Sequence, residues 1–256
     1  MHSREDLQQL AETYLAELAL TPELGGLEKA VRYALAGGGK RIRPVICLAT
    51  GEAAGGEPVL VLPAAAALEL VHNFSLVHDD LPSLDNDRVR RGKPSTWAKF
   101  GEANGILAGD ALLSEAFRLA CSYETPAVAR ELAQATLGMI GGQYLDLGGE
   151  AVDLAELHRL KTGCLFAAAV GLALHAVGVP EREQAPWRAF GAELGLLFQI
   201  VDDILDGDGY VLERGADGAR ELSDQAADRA HERLRGIPAD TSVLAEIVSG
   251  LAVRTS

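Results

Sequence analysis

Two apolar runs in this chain stop at carboxylates, and that junction limits how the chain can fold. Phe74-Ser75-Leu76-Val77-His78 leads into Asp79-Asp80-Leu81-Pro82-Ser83-Leu84-Asp85, and Leu196-Leu197-Phe198-Gln199-Ile200-Val201 leads into Asp202-Asp203-Ile204-Leu205-Asp206. Each run reads as a buried helix, which ties each acid cluster to the edge of a hydrophobic core. Three carboxylates gathered there repel one another and resist desolvation. Hard divalent cations that take oxygen ligands relieve both costs. A chain that builds this arrangement twice is suited to gripping a polyanion, most simply a diphosphate, through bridging magnesium.

The rest of the 256 residues points to helices. Hydrophobic residues make up 48% and aromatics only 5%, Ala and Leu abound, and the β-branched alternation of strands is scarce. Helical patterns cover roughly 3–20, 26–36, 41–55, 60–80, 102–122, 126–148, 153–178, 183–206 and 217–235, with a last piece near 240–253. Glycine and proline punctuate them, as at Gly37-Gly38-Gly39, Gly92-Lys93-Pro94 and Gly207-Asp208-Gly209. No linker or fixed short repeat divides the chain, so 1–256 reads as a single all-α domain, a helix bundle.

A formal charge of −14 argues against nucleic acid as a partner, since nothing offsets phosphate repulsion over a broad surface. An anionic substrate then needs a local cationic pocket or a metal site. Cys47, Cys121 and Cys164 are odd in number and lack metal spacing; they read as reduced core residues of a cytoplasmic protein. The first residues are polar, without the apolar core of a signal peptide. Cys164 to Val179 is the longest apolar stretch, short for a span and interrupted by His175 and Gly178, so a core helix is expected and no integral membrane association.

On a helix, Asp202 and Asp206 share a face, with Gln199 one turn earlier, while Asp203 points about 100° away. The first cluster has different spacing: Asp79 and Asp85 are six apart, and Pro82 between them should break the helix, so a local bulge is needed to bring Asp85 back. His72 falls on the face of Asp79, and His78 reads as a buried, hydrogen-bonded histidine rather than a ligand. Cations gather in two groups. Gly37-Gly38-Gly39-Lys40-Arg41-Ile42-Arg43-Pro44 sets flexible backbone beside three positive charges where a helix opens, and Arg88-Val89-Arg90-Arg91-Gly92-Lys93-Pro94 follows Asp87. Lys161-Thr162-Gly163 adds a cation and a hydroxyl at the start of the apolar 164–179 stretch.

These segments, together with Gly141-Gly142-Gln143-Tyr144-Leu145-Asp146-Leu147, stand in the order of the motifs of the trans-isoprenyl diphosphate synthases (polyprenyl synthetases), across residues 37 to 206. The chain resembles that family, and its bacterial farnesyl diphosphate synthases most. The resemblance implies an isoprenoid-synthase-type helix bundle around a deep central cavity, normally a homodimer. It implies three Mg²⁺ ions shared by the two aspartate motifs, with Asp79 and Asp85 as ligands, Asp80 supporting them, Asp202 the main second-motif ligand, and Asp203 and Asp206 acting directly or through water. Lys40, Arg43, His72 and Arg91 would bind isopentenyl diphosphate; Arg90, Lys161, Thr162 and Gln199 would contact the allylic substrate. The Thr162 hydroxyl, the Lys161 carbonyl and the Gln199 side chain would offer oxygen dipoles to an allylic cation.

Phe74, five residues before Asp79 and roughly one and a half turns deeper, resembles the aromatic stop that limits chain growth in the family. A C15 product is expected, with C20 the close alternative. The chain departs from the family pattern after Asp206, where a lysine-bearing loop usually follows: no lysine occurs beyond Lys161, and Arg214 is a candidate replacement for one cation. Two further readings stay open, a terpene cyclase, for which Lys40, Arg43 and Arg91 would have no purpose, and a catalytically weak prenyl-diphosphate-binding subunit.

Overall fold

The helix over Pro58–Asp79, α4, is apolar on nearly every face and buried along most of its length, as an all-round hydrophobic helix in water must be. In the computed structural model, which describes residues 1–148 and 153–255, α4 packs beside a second such helix, α9 (Cys164–Ala176). Around this pair lie α3 (Ile42–Ala53), α6 (Glu102–Ala120), α7 (Ala127–Leu147) and α10 (Ala185–Asp206). Outside them, α11 (Tyr210–Arg235) packs on α10, α12 (Ser242–Ala252) on α10, α11 and α3, and α1 (Arg4–Glu17) on α3 and α4. The short helices α2 (Glu28–Leu35), α5 (Thr96–Phe100) and α8 (Leu154–His158) complete the bundle. Buried apolar residues from α1 to α12 form one contiguous core.

Pro58–Asp79 and Leu154–Ala176 are long and apolar enough to cross a membrane by length and composition alone, and 61% and 50% of their most apolar windows are buried in the bundle. The expected core helix after Cys164 is therefore found as α9. Of the three cysteines expected in the core, Cys47 is buried and Cys164 half-buried, whereas Cys121 is exposed, because it follows the last turn of α6.

The structure departs from the sequence pattern at three places that matter to the site. First, 153–178 is not one regular helix. The Cys164 N–H donates to the Arg159 carbonyl five residues back, making Arg159–Gly163 a π turn between α8 and α9. Such turns commonly re-aim functional side chains. Close packing holds it in place: a Cβ at Gly142 on α7 would lie 2.3 Å from the Lys161 backbone nitrogen. Second, the basic segment after Asp87 is a small hairpin, with β1 (Val89–Arg90) antiparallel to β2 (Lys93–Pro94) and Arg90 opposite Lys93. Its two loop residues, Arg91 (φ 51°) and Gly92 (φ 75°), are both left-handed, as two-residue primed turns require. Third, α11 starts at Tyr210 rather than near 217, running through a break at Gly215.

Arg41, at the start of α3, is 4% exposed and ties four elements together. Its Nη1 donates to Glu69 on α4 at 2.6 Å, its Nε to Glu12 on α1 at 3.1 Å, and its Nη2 to the Leu35 carbonyl closing α2 at 2.6 Å. Removing one member of a buried pair leaves the other charge uncompensated, at about 3–5 kcal/mol. Arg41→Met is therefore expected to lower unfolding free energy in urea by that amount; a loss below about 1 kcal/mol would show that the pair is not needed.

Candidate active site

Four helix ends meet at one side of the bundle: α4 and α10 finish there with the acid clusters, and α3 and α9 begin there with Arg43 and the π turn. Two cavities lie between them. One, of about 450 Å³, is lined by Gly39, Lys40, Arg43, His72, Arg91, Phe198 and Asp202 among others. The other, of about 430 Å³, is lined mainly by apolar groups, with Phe74, Ser75, Met139, Ile140 and Leu165 in its walls and Asp79 and Lys161 also on its lining. Arg43, His72 and Thr162 border both cavities.

The first acid cluster closes as the bulge requires. α4 ends at Asp79, a turn at Leu81–Leu84 carries the chain over Pro82, and the Asp85 N–H donates to the Asp79 carbonyl at 2.9 Å. Burial and the neighbouring Asp85 charge raise the Asp79 carboxyl to about 6, with Lys161 and Arg90 opposing them. In the second cluster burial and Asp206 raise the Asp202 carboxyl, opposed by Arg254 and Arg43. These are pairs: among the described residues no group of three His, Cys, Asp or Glu side chains gathers tightly enough to enclose a metal ion. Magnesium is usually held by one or two carboxylates, substrate phosphates and water, so two open pairs with upward-shifted acids fit it.

Asp80, Arg90, Asp203 and Gln199 line neither cavity. Asp80 is 3% exposed and accepts from Arg90 Nε at 2.9 Å and Nη2 at 2.5 Å. This pair anchors the β-hairpin to α4, and Arg90 borders a small cleft there rather than either cavity. Asp203 is 5% exposed, with Oδ1 accepting from Gln199 Nε2 at 2.7 Å and Oδ2 from the Tyr210 N–H at 2.9 Å. It acts as the cap of α11, and a Cβ at Gly209 (φ 49°) would collide with its Oδ2 at 2.1 Å. Gln199, held by Asp203, borders an outer groove between α7, α9 and α10. Asp203 and Gln199 are thus turned from the cavities because the tight return from α10 to α11 needs their polar groups. Arg214 pairs with Glu213 and lies on neither cavity.

The cationic side is uneven. Arg43 is 9% exposed, its Nε has no hydrogen-bond partner, and its guanidinium lies 4.6 Å from the Phe166 ring centroid and 5.7 Å from that of Phe198. Burial pushes it down to about 10, although Glu69 and Asp202 favour its charge. His72 is driven well below the ordinary histidine range by burial and by Arg43 and Arg91, so it is neutral. Arg91 donates Nη1 to the Gly38 carbonyl. Lys40 is exposed at the cavity edge, and Lys161 donates to Asp146 of α7. His78 is hydrogen-bonded as expected, with Nε2 3.0 Å from the Ile106 carbonyl. Sequence reading missed the Phe166 platform under Arg43, since that phenylalanine sits in an apolar stretch without local signal.

A folded-state Asp79 near 6, against 3.8 for the free group, means that the metal-free fold holds the proton more tightly than the unfolded chain. Its contribution to stability falls as pH rises through that window. Asp79→Asn is expected to gain thermal stability relative to the unsubstituted protein between pH 4.5 and 7 without metal; a pH-independent offset would contradict the burial of this acid.

Comparison with known proteins agrees with this geometry. Residues 25–217 match the polyprenyl synthetase family model. The chain is 43% identical over 192 residues to a geranylgeranyl diphosphate synthase of Cyanophora paradoxa (69% of this chain, 64% of that one). It is 39% identical over 262 residues to a farnesyl diphosphate synthase of Geobacillus stearothermophilus, covering 89% and 88% of the two chains. The chain thus spans just under two thirds of the Cyanophora relative. The crystal structure of a geranyltransferase from Legionella pneumophila superposes with a TM-score of 0.88 at 33% identity, covering 98% of this chain and 96% of that one. The chain belongs to the polyprenyl synthetase family and has the isoprenoid synthase fold.

Proposed function

We propose that this protein condenses isopentenyl diphosphate head-to-tail with dimethylallyl or geranyl diphosphate to give (E,E)-farnesyl diphosphate. The observation that carries this reading is the pair of cavities meeting at Arg43, His72 and Thr162, one rich in cations and one apolar beneath a carboxylate pair. A two-substrate condensation needs both, whereas a cyclase acting on one allylic diphosphate has no use for the first.

Lys40, Arg43 and Arg91 hold the isopentenyl diphosphate, with neutral His72 as a hydrogen-bonding wall. Desolvation strengthens each of these contacts, because the buried Arg43 charge has no carboxylate of its own. Asp79 with Asp85, and Asp202 with Asp206, would hold Mg²⁺, three ions on the family pattern, which supplies charge neutralisation to a departing diphosphate. Lys161, on the lining that includes Asp79, adds a cation to that side, and Thr162, on the lining of both cavities, would offer its hydroxyl dipole between the two substrates. The apolar wall of the second cavity excludes water from the allylic cation left by ionisation. The double bond of isopentenyl diphosphate attacks it, and the proton lost passes to the released diphosphate, so no protein base is needed.

Phe74 is 8% exposed, packs edge-on to the His78 ring at 4.9 Å and lines the apolar cavity below Asp79, supporting a C15 product. The relatives named as geranylgeranyl synthases favour C20 as the second reading. A homodimer is supported by Leu137, Ile140, Tyr144 and Leu147, exposed apolar groups at one-face spacing on α7 beside the same cavity. Three free cysteines suit the cytoplasm.

The test is incubation with Mg²⁺, isopentenyl diphosphate and geranyl diphosphate, followed by mass spectrometry of the dephosphorylated products. Farnesol should dominate, and Phe74→Ala should shift the distribution to C20 and beyond; an unchanged distribution contradicts the floor role. Asp79→Asn and Asp202→Asn should each lower kcat by about a hundredfold or more, and a loss under about threefold would remove that acid from the metal site.

A further inference from the structure

Two arginines outside the motif-bearing stretch 37–206 border the cation-rich cavity: Arg4 on α1 and Arg254 in the turn Val253–Thr255 that follows α12. A capping box fixes Arg4 as the first residue of α1, since the Asp6 N–H donates to Ser3 Oγ at 3.1 Å and the Ser3 N–H to Asp6 at 3.0 Å. From there the guanidinium reaches α12, where its Nη1 would lie 3.4 Å from a Cβ built on Gly250. Arg254 faces Asp202 closely enough to pull that carboxyl down. Neither guanidinium forms an ion pair among the described residues, unlike Arg41, Arg90 and Arg118, which are matched to carboxylates.

That freedom matters because the motif cations are partly committed. Arg41 is bound to Glu69 and Glu12, and Arg91 has one guanidinium nitrogen on the Gly38 carbonyl. Glu69 and Asp202 add negative charge to the same lining. Among the described residues after Lys161, Arg254 is the one cation on this cavity. A diphosphate entering here meets a buried, unpartnered Arg43 below and needs further positive charge above.

We propose that Arg4 and Arg254 are phosphate ligands of isopentenyl diphosphate, leaning over the cavity from α1 and from beyond α12 to complete the cation shell begun by Lys40, Arg43 and Arg91. Isopentenyl diphosphate as the ligand rests on the transferase reading above, whereas an anion held by these two arginines is read directly by binding.

The experiment is calorimetric titration of the whole protein with isopentenyl diphosphate without metal, comparing the unsubstituted protein with Arg4→Gln/Arg254→Gln and Arg4→Lys/Arg254→Lys. Glutamine keeps the alkyl stem and removes the charge. Each lost charge-assisted contact should weaken Kd by about tenfold, the lysine pair should recover much of the loss, and melting temperature should hold. Should the double glutamine variant melt early, each single variant carries the same tenfold expectation. Binding within twofold of the unsubstituted protein in the glutamine variants overturns the assignment, as does no binding by the unsubstituted protein. Binding that is lost with the two arginines, in a protein that makes no prenyl product, upholds the phosphate ligands and removes the transferase reading.

Discussion

Charge left uncompensated where water is scarce is the constraint on which this architecture turns. The Arg43 guanidinium is buried on two aromatic rings with an unpartnered Nε. Across the same junction, Asp79 and Asp202 are half-buried carboxylates made less acidic by burial and by their own neighbours, Asp85 and Asp206. A protein selected for stability alone would pair these groups, and this one has done so elsewhere, at Arg41–Glu69, Arg90–Asp80 and Arg188–Glu131. Cation and anions instead share the cavity linings without pairing, ready for a ligand that is itself a polyanion and for the cations that accompany it.

The fold exists to hold those groups still. α4 and α9, apolar all round, form the stiff centre that brings Asp79 and the π turn to one end of the bundle. Paired charges do the peripheral work: Arg41 ties α1, α2 and α4 to the start of α3, Asp80 pins the hairpin, and Asp203 caps α11. Each of these lies within two residues of a group left free for chemistry. Committed and free charges thus sit side by side on three short stretches of backbone, the committed ones fixing the geometry of the free ones.

That arrangement explains what the sequence could and could not tell. The apolar runs and their acid ends are local patterns, so the all-α class, the helices bearing both clusters and the break at Pro82 were legible. Arg41 and Arg43 look alike on paper; they differ because Glu12 and Glu69, remote in sequence, hydrogen-bond only the first. Asp203 and Gln199 read as metal and substrate contacts, but the turn at Gly207–Gly209 folds α11 back towards Asp203, which holds Gln199. The hairpin at Arg90–Lys93 was hidden because its strands are too short for any alternation to show, although Arg91-Gly92 was its turn signal. Arg4 and Arg254 lie outside the motifs read from the sequence, and only the packing of α1 and α12 on α3 brings them to the cavity.

The central claim is two diphosphate sites at one junction, one built from protein cations and one that exists only with metal. Counting inorganic pyrophosphate bound at saturation by calorimetry, first with a chelator and then with excess magnesium, tests it directly. The account predicts one equivalent per chain without magnesium and two with it. A stoichiometry that magnesium leaves unchanged would contradict it.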